Sequence, residues 1–154
     1  MYLALSHRPS IDYNISLSPS HAIPHGYTRA IFAEPATVPP VRFLTIVSPH
    51  LPWAIPVPGI APNAFVTISD VLSGLYHSLR NGVSEREFHM LPPKARSRVR
   101  TSYENRYRRI RDRRSYEAEK SNGLKKIDFL MGHNAFLGLT PSNDGPTTFV
   151  LNVS

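Results

Sequence analysis

Arginine is the residue type through which this chain has most to offer a partner. A planar guanidinium grips a carboxylate or a phosphate with two parallel N–H donors, a fork that lysine lacks. From Lys94 to Arg114 the sequence places ten Lys and Arg, nine of them Arg, against the two acids Glu104 and Asp112. The segment's charge of +8 exceeds the +7 of the whole chain, so all the basic excess sits in one stretch. Such a stretch either faces water and salt or meets something anionic.

Catalytic and metal chemistry find less support. The seven histidines, His7, His21, His25, His50, His77, His89 and His133, offer no His-x-x-x-His pair on a plausible helix. His21 and His25 stand four apart, but Pro24 breaks the turn that would bring them onto one face. The absence of cysteine removes disulfides, thiol nucleophiles and thiolate metal sites. No glycine-rich phosphate loop and no Gly-x-Ser-x-Gly elbow occurs. Asp70 begins a helix, where a carboxylate suits the positive end of the dipole. Asp12 and Asp128 lie in apparent strands and read as hydrogen-bonded structural acids. Catalytic residues, metal and cofactor are therefore expected as none. The alternative is a hydrolase with a pocket between the proline-rich amino-terminal region and the closing strands, near Asp128 and His133; a purely structural domain is the third option.

The elements that must position the basic segment follow from pattern and punctuation. Up to residue 40, short extended pieces such as Ile11 to Ser16 alternate with Pro19, Pro24, Pro35, Pro39 and Pro40, which leave helices no room. Val41 to Ser48, VRFLTIVS, is β-branched and apolar on both faces, as an interior strand is. Trp53 to Val57 forms its hairpin partner across the link from Pro49 to Pro52, and Pro56 confines it to an edge or a bulge. Val71, Leu72, Leu75 and Leu79 then fall on one side of a helix that Ser69 caps and Gly82 ends. Ser84 with Glu87 spells a capping box for a short helix from Glu85 to about Leu91, with Val83 and Phe88 at staple spacing. Pro93 opens the next helix, which is expected to continue to about Arg111 or beyond. Lys126 to Met131 and Thr147 to Val153 read as two closing strands, with Pro141 to Pro146 an exposed connection.

At about 100° per residue, Ala95, Val99, Tyr103, Tyr107 and Ile110 form one stripe of that basic helix, the side that must bury. Lys94, Arg98, Arg100, Arg108, Arg109 and Arg111 fall on the opposite side and are the candidate anion-binding residues. Arg96, Arg106, Arg113 and Arg114 flank the stripe, where their stems can cover core edges. Glu104 stands four residues from Arg100 and from Arg108 and cannot neutralise the face alone.

Strands first, helices next and strands last indicate an α+β fold. It has amino-terminal strands with Pro-rich loops, two to three central helices of which one is long and basic, and two carboxy-terminal strands completing the sheet. The expected organisation is an extension over residues 1–9 followed by a single domain over 10–154. Residues Tyr2 to Leu5 are too short an apolar run for a signal peptide, and no run approaches the roughly 20 residues that span a bilayer. An intracellular protein, cytoplasmic or nuclear, is expected.

Several of these pieces, in order, carry a family resemblance. They are Ile11 to Ile15 with Pro19 and Ser20; Glu34 to Thr37; Leu51 to Ile55; Val66 to Leu72; Arg106 to Arg109; and Gly123 to Gly132. Together they resemble a domain family of unknown function abundant in mushroom-forming fungi, the basidiomycetes, over about residues 10–153. Tyr13 stands where that family more often has Trp, and Ala54 where it often has Pro. The resemblance implies one domain and a fungal origin, and it implies no activity. The function expected from the residues is a binding or scaffold module whose Arg-rich helix docks nucleic acid, an acidic protein segment or anionic lipid.

Overall fold

A computed structural model of the chain describes residues 11–62 and 64–154. The expected extension over residues 1–9 lies outside the described residues. The fold is α+β, and the chain divides into two compact units: residues up to Ser78 together with His133–Ser154, and Leu79–Gly132.

The first unit is built on strands. A short ladder of β1 (Ile11–Asp12) and β2 (Ile23–Pro24) precedes β3 (Phe43–Ser48) and β4 (Leu51–Pro58). The hairpin between β3 and β4 turns on Pro49 and His50, so β4 is longer and its turn tighter than the apolar run alone indicates. Strands β5 (Phe136–Pro141) and β6 (Thr148–Val153) complete a four-stranded sheet of order β4-β3-β6-β5. Its ladders are antiparallel except β3 with β6, which run parallel. Strand β4 lies at an edge, as Pro56 requires. Leu44, Ile46, Ile55, Val57 and Leu151 carry the buried face.

Helix α1 (Ile68–Leu79) buries Val71, Leu72, Leu75 and Leu79, the stripe its spacing indicated. Its cap is Thr67 and not Ser69. The Thr67 Oγ1 accepts the Asp70 N–H at 3.1 Å and Asp70 Oδ2 accepts the Thr67 N–H at 2.9 Å, a reciprocal box that places the start two residues earlier. Gly74 sets the approach of α1 to the sheet, because a Cβ there would stand 3.0 Å from Val57 Cγ2.

The second unit is helical. Helix α2 (Glu85–His89) starts on the expected capping box, with Ser84 Oγ accepting the Glu87 N–H and Glu87 Oε2 accepting the Ser84 N–H. Helix α3 (Pro93–Arg108) begins at the expected proline but stops before Arg109, and α4 (Arg113–Ser121) follows after a turn. The continuation of one helix through Arg111 is thereby corrected. Asp112 accepts the Ser115 N–H at 2.8 Å and starts a second helix instead.

Lys126 to Met131 also differs from expectation, forming a 3₁₀ turn over Lys126–Leu130 and no strand. Four consecutive residues, Ile127 to Leu130, are buried there, a pattern unlike alternating burial, and Met131 ends the turn at φ 53°. The strand that closes the sheet is β5, which lies farther along the chain at Phe136–Pro141. Asn81 and Val83 hold this turn to the chain before α2, through Lys126 N–H to Asn81 C=O at 2.9 Å and Val83 N–H to Leu124 C=O at 3.0 Å.

Candidate anion-binding face

Helix α3 owes its orientation to a narrow apolar stripe. Val99 and Tyr107 are buried, Ala95, Tyr103 and Ile110 are half-buried, and the opposite side is polar. The tyrosines belong to the packing: the Tyr107 ring meets Tyr103 edge-on at 4.9 Å and Tyr116 of α4 at 5.3 Å. Tyr103 donates its hydroxyl to Lys120 C=O at 2.6 Å, and burial followed by the neighbouring Tyr107 raises its pKa, keeping it a neutral donor.

One cation of the segment turns inward. Arg106 donates Nε to Asp128 Oδ1 and Nη2 to Asp128 Oδ2, both at 2.9 Å, gives a second Nη2 bond to Gly123 C=O at 3.0 Å, and pairs through Nη1 with Glu119. Lys125 Nζ closes the network on Glu119 Oε1 at 2.6 Å. Burial disfavours the Arg106 charge, but the hydrogen bonds and charge of Asp128 outweigh it and raise the guanidinium pKa. Burial likewise works against the Glu119 carboxylate, and the hydrogen bond and charge of Lys125 overcome it, lowering its pKa. Asp128 also accepts the Lys125 N–H at 2.8 Å, so this buried carboxylate takes three hydrogen bonds. Saturation of this kind ties α3 to the 3₁₀ turn that carries Asp128. His133 is stacked on His50 with ring centroids 5.3 Å apart.

The six residues selected from the sequence are all exposed: Lys94, Arg98 and Arg100 in α3, Arg108 at its last turn, Arg109 at its cap, and Arg111 in the turn before α4. Arg109 and Arg111 are therefore brought to the carboxyl end of α3 by the turn and not by the helix. Arg100 leans over the Phe88 ring of α2 at 5.8 Å, away from the centre of the open face. Arg108 Nη2 meets Glu104 Oε2 at 3.3 Å, a solvent-exposed pair worth well under about 1 kcal/mol. Lys94, Arg98, Arg109 and Arg111 pair with no acid among the described residues.

The first turn of α3 has no acid and holds Lys94 and Arg96, although the positive end of the helix dipole favours carboxylates. That placement costs stability, by about 0.3 to 1 kcal/mol for each charge. Thr101 and Asn105 share the exposed side with these cations and were not singled out from the sequence. Continuing the same helical projection past the charged residues would have found them. Among the described residues no cluster of three or more His, Asp or Glu could hold a metal ion.

The family of unknown function DUF6699 matches residues 11–145 of the chain. The chain belongs to that family. No curated protein and no solved structure matches this DUF6699 chain. Among its described residues no helix is long and apolar enough to cross a membrane.

Proposed function

We propose that this DUF6699 chain is a non-enzymatic binding or scaffold module that docks an anionic partner on α3 and the turn that follows it. The observation that carries the reading is the sorting of charge within one basic segment. Arg106 takes the buried Asp128 and the half-buried Glu119, while Lys94, Arg98, Arg109 and Arg111 stay exposed with no acid against them among the described residues. The exposed Lys94 in the first turn of α3 supports it, since it stands at the positive end of the helix dipole with no acid against it among the described residues. The partner chemistry is phosphate or carboxylate, carried by nucleic acid, an acidic protein segment or anionic lipid headgroups. The resemblance to a basidiomycete family supports a fungal origin, and the site of action is intracellular, in cytoplasm or nucleus.

Retention on immobilised heparin tests this reading. The chain is expected to bind at low salt and to elute as ionic strength rises, because exposed charges are screened within about 8 to 10 Å. Flow-through at low salt contradicts it.

A further inference from the structure

Resting on the reading above, we infer that the anionic partner is duplex DNA, entered through its major groove by α3, with Asn105 as the side chain that reads a base. Lys94, Arg98, Thr101, Asn105 and Arg108 are spaced four, three, four and three residues apart, and all five are exposed. At about 100° per residue they fall within roughly 80° of one another, and at 1.5 Å per residue the stripe is about 21 Å long. Its order is two cations, two uncharged hydrogen-bonding side chains, then one cation, with Arg109 and Arg111 just beyond.

That order matches a helix lying in a groove. The major groove is about 12 Å wide and admits along its course a helix of about 10 to 12 Å diameter, and because the groove winds away from a straight helix, the ends of a roughly 21 Å stripe approach its walls while the middle stays over its floor. Cations at the ends then meet the phosphates of the groove walls, while the middle faces base edges. Thr101 occupies its hydroxyl within the helix, donating Oγ1 to Ser97 C=O at 3.0 Å. Asn105 has no hydrogen-bond partner among the described residues. A free side-chain amide offers one acceptor and two donors, the set that pairs bidentately with adenine N7 and N6.

The other anionic partners fit this stripe less well. A helix lying on a bilayer sinks an apolar face into the lipid, whereas the apolar stripe of α3 is already buried through Val99 and Tyr107. An acidic peptide complements a continuous ladder of cations, and it leaves the central Asn105 without an assigned role.

The test measures binding of the full chain to short fluorescent duplexes selected from a random pool, with poly-glutamate, single-stranded DNA and phosphatidylserine vesicles as competitors. The expected result is that duplex wins the competition, and that about five phosphate contacts give a log–log salt slope near −4 to −5. Arg98→Ala should lower the magnitude of that slope by about 0.9 without changing the selected sequence. Asn105→Ala should lose a roughly ten-fold preference for adenine at one position of the selected sequence. Circular dichroism confirms that each variant folds. The inference is overturned if a competitor displaces the duplex, if no sequence is selected, or if the preference survives Asn105→Ala. In each of those cases continued heparin retention leaves the broader docking role standing, whereas absence of heparin retention removes that role as well.

Discussion

Arg106 and Asp128 face one another across two parallel hydrogen bonds, Nε to Oδ1 and Nη2 to Oδ2, each 2.9 Å long. Asp128 is 1% exposed, so that fork and the Lys125 N–H stand in for the water it has lost. The pair ties α3 to the 3₁₀ turn over Lys126–Leu130 and holds the remaining cations of the helix outward.

Breaking this pair from one side should be costly. Arg106→Met leaves a buried carboxylate short of two donors, for which about 3 kcal/mol of destabilisation is expected. Urea unfolding checks it, and a loss below about 1 kcal/mol would contradict the structural role. The same variant, where folded, should keep its heparin retention, which separates Arg106 from the docking cations.

Glu119 predicts an acid limb of the stability curve. Burial raises its pKa, but the Lys125 hydrogen bond and charge lower it more, so the folded carboxyl titrates below its ordinary 4.5. A depressed carboxyl contributes stability that is fully present above the unfolded value and is lost as pH falls through the folded value. Urea midpoints followed downward from neutral pH should show wild type ahead of Glu119→Gln at neutral pH, with the gap closing below about pH 4.5. A gap independent of pH would sink the assignment.

Tyr13 predicts an alkaline limb. Burial, and then the neighbouring Tyr76 hydroxyl, push its pKa up to about 12 from 10.0, and its hydroxyl donates to Leu17 C=O at 2.8 Å. The stability held by the neutral phenol is complete below pH 10 and is lost as pH rises towards 12. Tyr13→Phe should therefore show a shallower loss of stability across that window in denaturant titrations. Identical slopes for the two proteins would rule the effect out.

The α2 cap is a local test. Ser84→Ala removes the acceptor for the Glu87 N–H and should cost about 1 kcal/mol, read as a lowered urea midpoint with unchanged slope. No change in midpoint would show that the box does not hold the helix start.

What the sequence disclosed was local. The 3.6-residue recurrence of Val71, Leu72, Leu75 and Leu79, the Ser84–Glu87 box and the apolar run of β3 each appear where neighbouring residues indicated. Contacts set over long separations were not visible. The 3₁₀ turn exists because Asp128 is drawn to Arg106, 22 residues away, and β5 is a strand because it pairs with β6 around the positive-φ Gly138. The break between α3 and α4 left one legible signal, the Asp112–Ser115 spacing of a helix cap, which the surrounding run of arginines masked. The exposed Lys94, Arg98, Arg100 and Arg108 were readable because a helix needs only its period to assign faces, whereas Arg109 and Arg111 are exposed by the turn after α3. Arg106 was placed on the flank of that stripe, while its acidic partners were out of view.

The central claim is that the cations left over by Arg106 form a working surface, and charge reversal tests it most directly. Arg98, Arg108 and Arg109 are exposed, and Arg108 touches only the surface acid Glu104 among the ion pairs described, so changing all three to Glu leaves the core intact. Heparin retention of the triple variant is measured beside its circular dichroism and urea midpoint. The account predicts a folded protein that no longer binds heparin at low salt. A folded triple variant that elutes with wild type, or one that unfolds outright, would contradict it.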